Sequence, residues 1–270
     1  MHGLCQAYWQ VPVPPEPAAL LGVLVIAALY ARGVSQLWRR AGRAHGVRPW
    51  QTVWFGTGLL AIVVALESPL DALSEQLFAF HMSQHMLLIL VAAPLLVVGA
   101  PVAPLLWALP EPARRRAVAS AFRTAAVFLT SAPIAFAAHS LALWLWHLPA
   151  LYEAALSNRG IHILEHLSFV ATAVLFWWAI VHITRAVGVL YLFGLALQST
   201  LLGALLAFSP TPWYTAHQAS APAWGLTPVQ DQQLAGLIMW VPGSSVYLAA
   251  ALGLLAAWLR DSSKASASSS

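Results

Sequence analysis

Apolar residues fall into seven long runs, near positions 17–38, 50–67, 76–98, 122–148, 160–184, 187–209 and 228–258. A helix needs about 20 residues to cross the roughly 30 Å hydrocarbon core of a bilayer, and each run is about that long or longer. The polar punctuation between them predicts local detail. Pro94, Gly99 and Pro101 should kink or end the third span, because proline lacks the N–H that the helix ladder uses. Ser68-Pro69-Leu70-Asp71 reads as a helix start and predicts a short surface helix ahead of that span. Thr227-Pro228-Val229-Gln230 has the form of a capping box with proline at the first helical position, and it opens the seventh span. The chain thus divides into an outer N-terminal segment (1–16), a seven-helix domain (17–260) and a Ser/Ala-rich tail (261–270) with the composition of a disordered segment.

Composition agrees. Hydrophobic residues make up 60% and charged residues only 8%, against roughly 25% charged in a soluble domain, so the fold class is an all-α polytopic membrane protein. The few charges fix a predicted orientation. Arg39, Arg40, Arg43 and Arg48 follow the first span. Arg114, Arg115, Arg116 and Arg123 lie around the start of the fourth, Arg185 follows the fifth, and Arg260 and Lys264 follow the seventh. With Arg32, twelve of the thirteen Lys and Arg residues fall on one side, leaving Arg159 on the other. Basic loops stay in the cytoplasm, so the N-terminus is expected outside and the C-terminus inside. The net charge of +4 therefore reports topology, and no nucleic-acid partner is indicated. No basic segment precedes the first run, which argues against a cleaved signal peptide. The single cysteine, Cys5, rules out an internal disulfide framework.

On that topology the histidines gather. His81 and His85 are four residues apart, about 40° apart around a helix, and share one face of the third span with Met82 at its border. His139 and His147 lie toward the outer end of the fourth, His162, Glu165 and His166 at the outer start of the fifth, and Asp231 one turn into the seventh. All would lie roughly 0–15 Å below the outer surface. Ionisable groups inside a membrane are costly and point to function. Neutral imidazole suits copper, zinc or iron, and thioether favours Cu(I). The candidate metal residues are accordingly His81, His85, His139, His147, His162, His166 and Met82, with Glu165 and Asp231 as ligands or as carboxylates orienting the imidazoles. Met86 and Met239 read as core filler. Cys5 and His2 have no assigned role. Gln198, Ser199 and Thr200 should hydrogen-bond between helices. Trp213, Tyr214 and Trp224 of the last outer loop, which also carries His217, read as an interfacial belt, and Trp144 and Trp146 as a seal.

Four blocks, in order, carry a resemblance. They are His81-Met-Ser-Gln-His85-Met-Leu-Leu with Pro94 and Gly99-Ala-Pro101, then Leu145-Trp146-His147-Leu-Pro149-Ala-Leu-Tyr152, His162-Ile-Leu-Glu165-His166-Leu-Ser168-Phe169, and Asp231-Gln-Gln-Leu-Ala-Gly236-Leu-Ile-Met-Trp240. Over about residues 20–258 the chain resembles the membrane-integral cytochrome c oxidase assembly factor CtaG family. The resemblance implies a bacterial plasma-membrane protein, not an enzyme, needed to make an active haem–copper oxidase. Its partner would be the oxidase catalytic subunit, its cargo copper held as Cu(I), and its source a periplasmic copper donor. The ligand set itself rests on helix face and depth, not on the family.

Rival readings use the same residues. Two imidazoles from facing helices could ligate a haem. His162-x-x-Glu165-His166 matches the inverted zinc-peptidase pattern. A scaffold that docks oxidase subunits would need no metal at all.

Overall fold

The computed structural model describes residues 17–268. The expectations for 1–16, including His2 and Cys5, lie outside the described residues. Among those described there is no strand. The helices are α1 (Pro17–Ala41), α2 (Pro49–Glu67) and α3 (Pro69–Ser74). Then come α4 (Phe78–Val98), α5 (Val102–Ala108), α6 (Glu111–Val118), α7 (Ser120–Leu129) and α8 (Ala132–Trp146). The last four are α9 (Pro149–Ser157), α10 (Arg159–His182), α11 (Arg185–Phe208) and α12 (Pro228–Ser268). The boundaries follow local chemistry. Ser68 ends α2 and starts α3, its Oγ accepting from the Leu70 N–H at 3.1 Å. The predicted capping box opens α12. Gln230 Oε1 accepts from the Thr227 N–H at 2.8 Å, and Thr227 Oγ1 from the Gln230 N–H at 3.2 Å.

Six helices are long and apolar enough to cross a membrane singly, and a seventh crossing exists only if α8 and α9 count as one bent span. The fourth predicted span, 122–148, is therefore corrected. It is broken at Thr130-Ser131: Ser131 is extended (ψ 140°) and starts a new helix with Pro133 in its first turn, where a missing N–H costs nothing. A 77° bend then separates α8 from α9, with Pro149 at the first position of α9. A second correction concerns the tail. α12 runs on through residues 261–268, since alanine and serine extend a helix already nucleated at little cost.

The third span contains a π-helical segment, Leu87–Ala92. In that register Ala93 N–H reaches Leu88 O, and the next N–H, which would reach Ile89 O, is missing because residue 94 is proline. The indole N–H of Trp177 on α10 donates to Ile89 O instead, at 3.1 Å. The helix then ends at Val98, as the Pro94, Gly99 and Pro101 pattern predicts. Gly99 lies against α2, where a Cβ would come within 2.6 Å of Phe55 Cβ.

Small residues set the remaining packing. At the α11–α12 crossing a Cβ on Gly203 would lie 2.7 Å from Gly236 O, and one on Gly236 2.6 Å from Gly203 O. Ser199 Oγ donates to Met239 O at 2.9 Å, Thr200 pairs with Ser244 at 2.6 Å, and Gln198 Nε2 donates to Ser140 Oγ at 3.0 Å. Gln198, Ser199 and Thr200 thus all bond between helices. Outward, Leu190, Phe193, Leu197, Leu201 and Phe208 leave an exposed apolar stripe of the kind that acyl chains cover.

Candidate metal centre

α4 begins without a cap of its own: Leu77 is extended and offers no side-chain oxygen. Asp231 of α12 supplies it, Oδ2 accepting from the Phe78 N–H at 2.8 Å and Oδ1 from the Ala79 N–H at 3.0 Å. A carboxylate there satisfies two orphan donors and meets the positive end of the helix dipole. Asp231 is thus engaged with backbone, and it is not one of the three residues whose donor atoms converge. The cap fixes the turn that carries His81, three residues on.

From α4, His81 and His85 project toward α10, which brings His162, Glu165 and His166. The start of α10 is held by Asn158, whose Oδ1 accepts from the N–H groups of Gly160 and Ile161 at 2.9 and 3.2 Å. Glu165 Oε2 lies 3.8 Å from His81 Nε2, and Oε1 lies 3.7 Å from His85 Nε2. Ring centroids are 4.4 Å apart for His81 and His85, 5.6 Å for His81 and His162, 5.3 Å for His85 and His166, and 4.2 Å for His162 and His166. His81, His85 and Glu165 are at most 1% exposed.

The donor atoms lack protein partners. Both nitrogens of His81 and of His85, Nε2 of His162 and of His166, and both carboxylate oxygens of Glu165 are buried without a hydrogen bond. An unsatisfied buried polar atom costs about 1–3 kcal/mol. Eight of them left bare would rival the entire stability of a domain, about 5–15 kcal/mol. A cation would engage one nitrogen of each ligating imidazole and a carboxylate oxygen, and so relieve several of these atoms together. Bonds of about 2.0–2.2 Å at tetrahedral or trigonal angles put ligand atoms roughly 3.3–3.8 Å apart. One ligand atom from each of His81, His85 and Glu165 falls within 4.8 Å of the others, so the group fits a metal with small adjustments.

The other nominated residues are placed differently. His139 stands apart from the group, Nδ1 at 3.0 Å from Thr172 Oγ1 and Nε2 at 3.4 Å from Tyr247 OH. His147 caps the C-terminal end of α8, with Nδ1 at 2.6 Å from Leu143 O and Nε2 at 3.4 Å from Met82 Sδ. Met239 and Met86 are buried in the core, as expected. Trp146 Nε1 donates to Ser168 Oγ at 2.7 Å, and Trp144 Nε1 to Gln198 Oε1 at 3.1 Å. The two indoles thus tie α8 to α10 and α11.

Sequence reasoning missed the roof. Tyr152 of α9 is fully buried, meets His81 edge-on at 5.1 Å, and has its hydroxyl 2.7 Å from His217 Nε2. Phe78 packs edge-on and Tyr214 at a tilt against its ring, and Tyr214 OH donates to His147 O at 2.8 Å. His217 and Tyr214 lie in the last loop and are buried rather than interfacial. Burial pushes the His217 imidazole below its ordinary value, against the opposing pull of Asp231. The bend after Trp146, which folds α9 back over the site, has a signal in Pro149, and Tyr152 lies one turn beyond it.

Comparison with known proteins adds the family. The description "cytochrome c oxidase caa3 assembly factor" (Caa3_CtaG) matches residues 28–261. The uncharacterized proteins Mb0105 of Mycobacterium bovis and MT0111 of Mycobacterium tuberculosis are each 25% identical to it over 94% of this chain. The chain spans 42% of the length of these relatives. No solved structure matches it. With its multi-pass helical fold and a family match over nearly the whole described chain, the protein belongs to the cytochrome c oxidase caa3 assembly factor family.

Proposed function

We propose that the protein holds copper in the α4–α10 group and passes it to the catalytic subunit of a haem–copper oxidase. The observation that carries this reading is the set of eight unpartnered buried donor atoms on two helices. Their chemistry is four imidazoles and one carboxylate, suited to a transition metal. His81, His85 and Glu165 would hold the ion, with His162 and His166 positioned to take it up by ligand exchange. The charge pattern of the loops supports a location beneath the outer face of a bacterial plasma membrane, where a periplasmic donor would load it. The oxidase's own copper site would then receive the ion without its crossing the lipid.

Bond-making chemistry on an organic substrate is not part of this reading. A peptidase needs its metal open to water and to a peptide, whereas Tyr152, Phe78 and Tyr214 roof this group and His81 is fully buried. A haem needs a slot of porphyrin width between its axial imidazoles. Here His81 and His85 are at most 1% exposed beneath Tyr152 and Phe78, which leaves no open face through which a porphyrin would enter.

The test is metal content. Detergent-purified protein loaded anaerobically with Cu(I) and washed should retain copper. Glu165→Gln, which preserves shape, should weaken retention by about tenfold or more, and His85→Ala should remove most of it. Copper that washes off the unaltered protein, or that is indifferent to both changes, overturns the proposal.

A further inference from the structure

Beside the nitrogen–oxygen group two further atoms face each other: Met82 Sδ and His147 Nε2, 3.4 Å apart. Both residues are buried, at 1% and 5% exposure. The tautomer of His147 follows from its other contact. Nδ1 lies 2.6 Å from Leu143 O, and a carbonyl can only accept, so Nδ1 carries the hydrogen. In the neutral ring Nε2 then presents a lone pair, and so does the thioether sulfur opposite. No hydrogen lies between them, and the contact as it stands is not a bond. The ring is nonetheless held firmly in that attitude. His147 closes α8, and its carbonyl accepts from Tyr214 OH at 2.8 Å.

We propose that Met82 and His147 form a soft metal site for Cu(I), distinct in chemistry from the neighbouring nitrogen–oxygen group and one residue from it along α4. A thioether and an imidazole both suit a soft monovalent ion, and a thioether has little attraction for Zn(II) or harder cations. Bonds of about 2.0 Å to nitrogen and 2.3 Å to sulfur meet the observed 3.4 Å separation at an angle of about 104°. The ion is therefore not strung in a line between the two atoms, and a further coordination position stays open. Met82 precedes His85 by three, a spacing that sets the two side chains side by side, so His85 is the imidazole best placed to take that position. An ion can then pass between the soft pair and the group by gaining one ligand before losing another. Donors and charge balance throughout, and no oxidant or reductant is needed. The inference builds on the reading of the group as a copper centre and adds an element that selects Cu(I) over Zn(II).

The experiment is X-ray absorption on the full purified chain, loaded with Cu(I) alone and, in parallel, with Zn(II) alone. The unaltered protein should show a sulfur scatterer on copper and none on zinc. Met82→Leu, close in volume, should remove that sulfur and weaken Cu(I) retention by about tenfold, while Zn(II) uptake by the group is unchanged. A copper shell of nitrogen and oxygen alone, or a sulfur signal that survives Met82→Leu, overturns the inference. The first would leave the pair a packing contact between thioether and ring. Glu165→Gln separates the two proposals. Sulfur-bound copper that persists while Zn(II) uptake was absent from the start would sink the nitrogen–oxygen centre and leave the soft pair standing. Copper lost on Glu165→Gln with no sulfur ever seen would do the reverse.

Discussion

Asp231→Ala distinguishes a cap from a ligand. The carboxylate is 1% exposed and accepts from two backbone N–H groups at 2.8 and 3.0 Å. Truncation leaves both donors buried and unpaired, at about 1–3 kcal/mol each. It also strips a helix N-terminus of its negative partner, a further contribution of about 0.3–1 kcal/mol. A total near 3–5 kcal/mol follows, with Asp231→Asn falling about halfway because its amide still offers one acceptor oxygen. For a chain of this size each kcal/mol moves the midpoint by roughly 2–4 °C, so a detergent melt of the Ala variant should fall by about 6–20 °C. Copper retention measured well below that midpoint should fall only modestly, since no ligand has been removed and the α4 turn is merely loosened. An unchanged melt with copper abolished would refute the cap and restore Asp231 as a ligand. An unchanged melt with copper retained would show that the two hydrogen bonds carry no net stability.

Three further outcomes follow from other parts of the molecule. His139→Leu should leave copper stoichiometry as it was, because that ring contacts Thr172 and Tyr247 instead; loss of bound copper on this change would place it in the site. Gly203→Val must push α11 from α12, where a Cβ would meet Gly236 O at 2.7 Å, and should cost about 1–3 kcal/mol or more, read as a lower melting point; a native-like melt would mean that the crossing is slack. His217 is held below its ordinary value of 6.5 chiefly by burial. Its contribution to stability is therefore complete above about pH 6.5 and is lost as pH falls, because the unfolded chain takes the proton first. Melts of the unaltered protein and of His217→Gln between pH 7.5 and 5 should converge toward the acid end, and parallel curves would contradict that sign.

How much was legible depends on what each feature obeys. His81 with His85 and His162 with His166 were readable because spacing by four fixes a shared face, and the order of spans put both faces in one half of the bundle. His139 was not, since the rotation of α8 is set by the break at Ser131 and the bend after Trp146, and hydropathy registers neither. Asp231 looked like a ligand because it lies near the group in depth. What it serves is the backbone of a helix more than 150 positions earlier in the chain, and no periodicity encodes such a pairing. The roof was hidden for a related reason: Tyr214 and His217 lie in a loop, where pattern has no period to read.

The indole of Trp177 on the carbonyl of Ile89 has one further consequence. Four residues before Ile89, on the same helix, stands His85, so this single dowel fixes the height of α10 against α4 just beside the imidazoles. A slip of one helical turn is about 5.4 Å, more than the span between Glu165 and either histidine it faces, and would scatter the cradle altogether. The interruption of regular winding that Pro94 enforces exposes the carbonyl into which that dowel fits, so a flaw in one rod becomes the gauge that aligns two.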